Sequence, residues 1–292
     1  MSEFRNTLIL LRFPFSLFLL PTSLFSFYFI DPEANLTLLL VILIWHLLVF
    51  PSSNGYNSYH DQDDSPIGGL ANPPKVSKTL LKAANFLDGL AIFLSYLINP
   101  AFALFVTIYI IFSRLYSNRK IRLKKFPLSG FLVVFFFQGA WVFIANFIAF
   151  NKLNLLFAPP VQYAALASSF LVGTMYPLTQ IYQHEDDEKD QVKTMSMVLG
   201  KRGTFMFSGS LFSCAVLMLY LTFSEKGELH HFWLFNIIMA PVTLFFLYWS
   251  AKSFKNEKFV NFKNTMIMLI GSSVLNSIYF LLISLNLFEH LF

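Results

Sequence analysis

Long apolar stretches, separated by short polar ones, run through the whole of the 292-residue chain. A helix needs about 20 consecutive apolar residues to cross the hydrocarbon core of a bilayer. On that scale the pattern predicts nine transmembrane helices, at Leu8–Phe29, Leu36–Tyr56, Leu80–Ile98, Ala101–Tyr116, Pro127–Phe150, Val161–Gln183, Thr204–Phe223, Phe232–Ala251 and Asn264–Phe288. We therefore expect an all-α fold, a polytopic membrane bundle of nine transmembrane helices that forms a single domain over residues 1–292.

The composition agrees with this interpretation and excludes several others. Hydrophobic residues make up 56% of the chain and charged residues only 13%, whereas a soluble domain carries about a quarter charged residues. The formal net charge of +5 does not indicate a nucleic-acid partner, because the basic residues lie in short loops between apolar stretches. The single cysteine, Cys214, excludes a disulfide or a cysteine-based metal site within one chain.

The distribution of basic residues predicts the orientation of the bundle. With the N-terminus in the cytoplasm, all but two of the 21 Lys and Arg residues fall on the cytoplasmic side, the exceptions being Lys152 and Lys226. This is the bias expected of cytoplasmic loops. We expect an integral protein of the inner or plasma membrane, in contact with membrane lipid.

Acidic residues are concentrated in two segments, which follow the second and sixth predicted helices. We call residues 54–66 the first acidic segment and residues 182–194 the second acidic segment; together they hold eight of the 16 Asp and Glu residues. Both fall on the predicted cytoplasmic side. They occupy equivalent points in two halves of the predicted bundle.

Spacing predicts which acidic side chains share a face if each segment continues the preceding helix. Asn57 and Asp61 are four residues apart and share a face. Asp190 follows Asp186 by four residues and Asp187 by three, so these carboxylates share another. Carboxylates at this spacing repel one another, and ligands that are all oxygen favour a hard cation, Mg²⁺ first. Mg²⁺ usually completes its shell with water and a substrate phosphate.

A simpler interpretation remains open beside this one. Acidic runs at helix ends are usually solvated, and Asp186 with Lys189, or Asp190 with Lys193, are ordinary ion pairs at a three-residue spacing. Two such segments on the same side, in a chain otherwise poor in acids, favour a site. The basic cluster at residues 119–125 is interpreted as a topogenic or anionic-lipid contact.

The first acidic segment resembles a motif of the UbiA superfamily of intramembrane prenyltransferases. That motif usually reads N-D-x-x-D-x-x-x-D, followed by N-R-P. Here Asn57 and Asp61 fit, and Asn72-Pro73-Pro74 stands where N-R-P is expected. Ser58 and Ser65 replace two of the motif's Asp residues, although Asp63 and Asp64 are adjacent, and Pro73 replaces the Arg expected to touch a diphosphate.

The second acidic segment resembles the family's other motif, D-x-x-x-D followed by K-[ST] and L-G. The spacing from Asp187 through Lys193-Thr194 to Leu199-Gly200 is kept. Counted back from Lys193, the first Asp of the motif becomes Gln183, whereas the register Asp186-x-x-x-Asp190 restores D-x-x-x-D. Leu11-Arg12-Phe13-Pro14 resembles the family's entry into its first helix.

This resemblance implies a UbiA-like nine-helix bundle and a Mg²⁺-dependent prenyltransferase. A prenyl diphosphate would be the donor, and a lipophilic or aromatic molecule, first of all one of the quinone-biosynthesis type, would be the acceptor. Catalytic roles are implied for Asp61, Asp187 and Lys193, the last as a point charge on the diphosphate. Cofactor binding is implied for Asn57, Asp64, Asp186 and Asp190, and direct metal binding for Asp61, Asp64, Asp186, Asp187 and Asp190. Two alternatives remain: a transporter or cation-binding protein that uses the same carboxylates, and a family member that has lost catalysis.

Overall fold

Nine long helices account for most of the computed structural model, which describes residues 3–287. They are α1 (Glu3–Ile30), α2 (Leu36–Asp61), α3 (Lys78–Ile98), α4 (Pro100–Ser117), α5 (Pro127–Ala149), α6 (Pro159–Gln180), α7 (Met195–Glu225), α8 (Leu229–Lys255) and α9 (Phe262–Ser284). All of them except α6 are both long and apolar enough to cross a membrane. Helix α6 has 22 residues and carries Ser, Thr and Gln along its length. The predicted all-α membrane bundle is therefore confirmed.

The boundaries differ from the predicted ones mainly at α7. This helix begins at Met195 rather than at Thr204, because the side chain of Thr194 accepts a hydrogen bond from the Met197 backbone N–H at 3.3 Å and caps the first turn. Gly200, with φ of 65°, then kinks the helix. The predicted end of the last helix, Phe288, lies outside the described residues.

The helices close into a bundle in which the last helix returns to the first. Helix α9 packs along α1, and α6 packs along α7. Two serines of α9 bond to backbone carbonyls of α1: Ser273 Oγ donates to Leu17 O at 3.2 Å, and Ser284 Oγ donates to Leu24 O at 3.0 Å. Hydrogen bonds of this kind hold neighbouring helices together where no water competes.

The centre of the bundle is aromatic, with a few polar side chains that are fully bonded. Phe25 of α1 stacks on Phe280 of α9 with ring centroids 4.3 Å apart. Trp45 Nε1 donates to Asn146 Oδ1 at 3.0 Å, and Asn146 Nδ2 donates to Ser26 Oγ at 2.8 Å. This chain of bonds joins α2, α5 and α1 without leaving any of these polar atoms unpaired.

Two helices contain a wide turn of π type. These turns are Ile44–Val49 in α2 and Phe136–Trp141 in α5. In α5 the wide turn includes Gly139, where a Cβ atom would collide with the backbone of Ser169 in α6. The Ser169 Oγ accepts a hydrogen bond from the Ala140 backbone N–H at 2.9 Å. The wide turn of α5 therefore brings α5 and α6 into close contact.

Candidate active site

A cavity of about 290 Å³ lies within the bundle and opens between the two acidic segments. Its walls come from α1, α2, α4, α5, α6 and α9. Every charged side chain in the described lining lies at the mouth; these are Arg12, Asp61, Asp63, Lys124, Asp186 and Asp187. The deeper part, which we call the chamber, is lined by apolar, aromatic and uncharged polar residues.

Helix α4 holds the first acidic segment in place. Ser53 of α2 and Ser113 of α4 share a hydrogen bond of 2.5 Å. Four residues further along both helices, Asn57 Nδ2 donates to Ser117 Oγ at 3.1 Å. Because α2 continues to Asp61, the predicted face shared by Asn57 and Asp61 is formed, and both residues line the cavity.

A half-buried ion pair supports the same part of α2 from behind. Arg114 of α4 pairs with Asp88 of α3. Its guanidinium also lies 3.8 Å from the centre of the Tyr56 ring and donates to Ser52 Oγ at 3.1 Å. Stacking and charge-assisted bonds therefore fix the last turns of α2 before the acidic residues begin.

Asp61 is buried and carries two cationic partners. Lys124 pairs with Asp61 Oδ2, and Arg122 Nη2 lies 3.3 Å from Asp61 Oδ1. Arg122 also pairs with the Asp190 side chain and donates to the Asp190 carbonyl at 3.2 Å. The basic cluster at 119–125, interpreted from the sequence as a topogenic or lipid contact, thus supplies two cations to the acidic segments and joins one to the other.

The second acidic segment does not continue the preceding helix, which corrects the assumption made from the sequence. Helix α6 ends at Gln180, and a separate short helix runs over His184–Lys189. Gln183 Nε2, between the two, donates to Pro66 O at 3.0 Å and ties this segment to the end of the first. The short helix turns Asp186 and Asp187 toward the cavity.

Asp187 differs from the other acidic groups of the mouth in having a buried carboxylate oxygen, Oδ2, without a hydrogen-bond partner. Burial, together with the nearby charges of Asp61, Asp63 and Asp186, raises the pKa of Asp187 to about 7, although Lys124 acts in the opposite direction. Burial and the neighbouring Asp61 likewise raise the pKa of Asp63 to about 6.

Asp63, rather than the predicted Asp64, faces the cavity. Helix α2 ends at Asp61, and Gln62 adopts a left-handed conformation with φ of 57°. The chain therefore changes direction after Asp61, and helical spacing no longer decides which side chain faces the mouth. Asp63 lines the cavity, whereas Asp64 is exposed.

Two other predicted residues also lie away from the cavity lining. Lys193 is exposed, and Asp190 is engaged by Arg122. Over residues 3–287, no three Asp, Glu, His or Cys side chains converge as ligands of one cation. Mg²⁺ does not require such a cage, because it is usually bound by one or two carboxylates together with water and substrate phosphate.

Arg12 belongs to the mouth, although no role was predicted for it. It sits at a break in α1, with φ of 49°, and its side chain is buried. The guanidinium donates to Gly68 O at 3.0 Å and to Asn54 O at 3.4 Å, while its Nε atom has no partner. The only sequence signal for this residue was the stretch Leu11-Arg12-Phe13-Pro14.

The model of the UbiA prenyltransferase family matches residues 18–270. The chain belongs to the UbiA prenyltransferase family. The comparison with curated proteins gives no match. The family match spans all nine helices, seven in full and α1 and α9 in part, and includes both acidic segments.

Solved structures of UbiA proteins share the fold. A UbiA homolog from Archaeoglobus fulgidus, bound to GPP and Mg²⁺, is 18% identical with a TM-score of 0.67, covering 97% of this chain and 99% of the homolog. A digeranylgeranylglyceryl phosphate synthase is 20% identical with a TM-score of 0.64, covering 98% of this chain and 100% of the synthase. The A. fulgidus homolog bound to DMAPP and Mg²⁺ has a TM-score of 0.59 at 18% identity, and the match covers 94% of this chain and 99% of the homolog.

The departures from the UbiA motifs have defined places in the structure. Ser58 is buried, and its hydroxyl has no partner. The Ser65 hydroxyl hydrogen-bonds Asp186 and lowers the pKa of that carboxyl. Gln183 lines the cavity. Pro73 brings no charge, but Arg12 and Lys124 give the mouth two cations from other elements.

Proposed function

We propose that this UbiA-family protein transfers a prenyl group from a prenyl diphosphate to a lipophilic or aromatic acceptor in a Mg²⁺-dependent reaction. The observation that carries the proposal is the division of the cavity into a charged mouth and an uncharged chamber. A prenyl diphosphate has the same division, with an anionic head and an apolar tail. Family membership supports the reaction in general terms.

The acidic groups at the mouth fit Mg²⁺. All of their ligand atoms are oxygen, the type that this cation prefers. Asp187 has a buried carboxylate oxygen without a partner, and burial and neighbouring charges raise the pKa values of Asp187 and Asp63. One or two of these carboxylates, Asp187 first and Asp63 beside it, would hold the metal, with Asp61 and Asp186 also at the mouth. A Mg²⁺ ion held there would supply positive charge to the diphosphate and so favour ionisation of its C–O bond.

The chain's own residues then account for the remaining requirements of the reaction. Arg12 and Lys124 are the cations available to the diphosphate oxygens. The allylic C–O bond breaks with its electron pair leaving on the diphosphate, and the aromatic side chains of Phe50, Tyr109 and Phe137 line the chamber where the carbocation forms. A new bond joins this carbon to the acceptor, and the proton that the acceptor loses passes to the departing diphosphate.

The orientation is part of the proposal. The distribution of Lys and Arg supports a cytoplasmic N-terminus and a cytoplasmic mouth, in the inner or plasma membrane. An ion transporter would usually carry its ligands near the bilayer midplane, whereas these carboxylates lie at and beyond helix ends. Impermeant maleimide should label Lys152→Cys, but not Lys193→Cys, in intact cells if this orientation is right.

Diphosphate release tests the proposed function. The protein in lipid nanodiscs is incubated with geranyl or farnesyl diphosphate and a panel of lipophilic and aromatic acceptors, with Mg²⁺ or with EDTA. We expect release that requires Mg²⁺, falls to background in Asp187→Asn and persists in Glu188→Gln, an exposed acid on the same short helix. Absence of release from every donor and acceptor would contradict the proposal.

A further inference from the structure

A smaller pocket adjoins the chamber between α6, α7, α8 and α9. This side pocket has a volume of about 40 Å³. Leu171, Met175, Ser272 and Asn276 line both the side pocket and the main cavity. A ligand in the chamber can therefore reach the side pocket past Ser272 and Asn276.

Three buried polar atoms on the walls of the side pocket have no hydrogen-bond partner. They are Ser208 Oγ, Ser272 Oγ and Asn276 Oδ1, on side chains of residues that are 0%, 4% and 6% exposed. Asn276 Nδ2 donates to Ser272 O at 2.8 Å, so the unpaired atom of this amide is its acceptor oxygen. Buried polar atoms normally have a partner, and three in one small pocket indicate a polar ligand group.

The surroundings of these atoms carry no charge. The described lining of the side pocket has no Asp, Glu, Lys, Arg or His, and the charged residues of the main cavity all lie at the mouth. Asn276 lies 14 residues beyond Phe262, the start of α9, which places it about 20 Å along the helix. A carboxylate or phosphate this deep would be unpaired and costly.

We propose that the side pocket binds a hydroxyl group of the prenyl acceptor, and that the acceptor is an uncharged lipophilic alcohol or phenol. This inference rests on the proposed function, because the ligand is an acceptor only if the protein transfers a prenyl group. The ligand hydroxyl donates to Asn276 Oδ1 and accepts from Ser272 Oγ, with Ser208 Oγ behind them. A pocket of this size holds a hydroxyl group or one or two waters, so the rest of the acceptor lies in the chamber.

Matched probes test the site without requiring turnover. The purified protein is titrated with 4-nonylphenol, 4-nonylanisole or 4-nonylbenzoate, and the concentration giving half of the maximal rise in Tm is measured. The phenol offers a hydrogen-bond donor, the ether has nearly the same shape without one, and the benzoate is charged. We expect the phenol to bind about fivefold more tightly than the ether, and the benzoate to bind no more tightly than the ether.

Substitutions on α9 assign this difference to the side pocket. In Asn276→Leu the preference for phenol over ether should disappear, and in Ser272→Ala, a milder change that guards against misfolding, it should shrink. Asn236→Leu is the matched control, because the Asn236 amide also donates to the carbonyl four residues earlier but lines neither cavity. The control should keep the full preference.

The outcomes separate this inference from the proposed function. Equal binding of phenol and ether means that the pocket holds only water and overturns the inference, as does a preference that survives in Asn276→Leu. Tightest binding by the benzoate overturns the claim that the acceptor is uncharged. The rise in Tm caused by geranyl diphosphate with Mg²⁺ is measured in parallel. If the wild-type protein shows no such rise, the result counts against the proposed function instead.

Discussion

The two acidic segments face one cavity, but their carboxylates differ in the partners that the fold gives them. The larger part of the first lies in the last turns of α2, which are bonded to α4 through Ser53 and Asn57. Asp61, at the end of this helix, already carries Lys124 and Arg122 as partners. The second is a separate short helix held through Gln183 and Asp190. Asp187 keeps an unpartnered oxygen.

This contrast indicates that Asp61 contributes to the structure as well as to binding, whereas Asp187 serves binding. Asp61 is compensated before any ligand arrives, so its charge contributes to stability as well as to the mouth. Asp187 keeps a buried oxygen without a partner and is only partly compensated by Lys124, so its charge is costly until a cation comes. Removing either carboxylate should impair activity, but the two substitutions should have opposite effects on stability.

The largest effect on activity is expected at Asp187. Asp187→Asn should lower Mg²⁺-dependent diphosphate release by about 100-fold or more, because the best available metal ligand is lost. The apparent Mg²⁺ affinity should fall with it. Wild-type release rates in this variant, with Glu188→Gln unchanged in the same assay, would remove Asp187 from the site.

The same substitution should stabilise the metal-free protein, and more so at high pH. The pKa of Asp187 is raised in the fold, from an ordinary value of 3.8 to about 7. The contribution of Asp187 to wild-type stability therefore falls as pH rises from about 4 to about 7 and is lowest above that range. In EDTA, the gain in Tm from Asp187→Asn should be larger at pH 8 than at pH 5; an equal gain would mean that Asp187 is not buried as described.

Asp61→Asn should destabilise the protein as well as impair release. It leaves Lys124 and Arg122 without their shared carboxylate, and these side chains are only 11% and 12% exposed. Breaking a buried pair in this way costs about 3 kcal/mol. Tm should fall, in contrast to Asp187→Asn. If both variants shift Tm in the same direction, the contrast drawn between the segments is wrong.

Arg122→Gln should have an intermediate effect, because Arg122 joins the two segments without lining the cavity. We expect about a tenfold loss of activity, mainly through a higher KM for the prenyl diphosphate. Lys120→Gln, an exposed cation in the same loop, controls for loop charge and should behave as wild type. Equal losses in the two variants would show that loop charge matters and bridging does not.

The smallest effects are expected at the predicted residues that the fold leaves exposed. Asp64→Asn and Lys193→Ala should each change release by less than about twofold, since solvated charges contribute little. A strong loss in Lys193→Ala would instead support the catalytic role that the family motif implies, and would require the second segment to move on binding.

Helix count and the location of the mouth were predictable because both depend on local pattern. Apolar stretch lengths predicted nine helices, and spacing placed Asn57 and Asp61 on one face of α2. The choice of Asp63 over Asp64 was not predictable, because it follows from the left-handed conformation of Gln62. A separate helix at His184–Lys189 was missed because continuation of α6 was assumed.

The cations of the mouth were missed for a different reason. Lys124 and Arg122 meet Asp61 from more than 60 residues away in the sequence. Only tertiary packing brings them together, and a basic loop beside an apolar helix has the same pattern whether it faces lipid or a site. Arg12 was equally ambiguous, because a basic residue near the start of a first membrane helix usually reflects topology.

The wide turns in α2 and α5 bear on how this chain is aligned with its relatives. A π turn contains one more residue than an ordinary turn while the helix on either side keeps its direction, so it amounts to a one-residue insertion absorbed within a helix. In a sequence alignment, the gaps that correspond to Ile44–Val49 and Phe136–Trp141 should therefore be placed within the helices rather than in loops. Deleting Leu47, which is 48% exposed, should be tolerated, whereas a deletion in a regular turn of α2 would rotate Asp61 by about 100°.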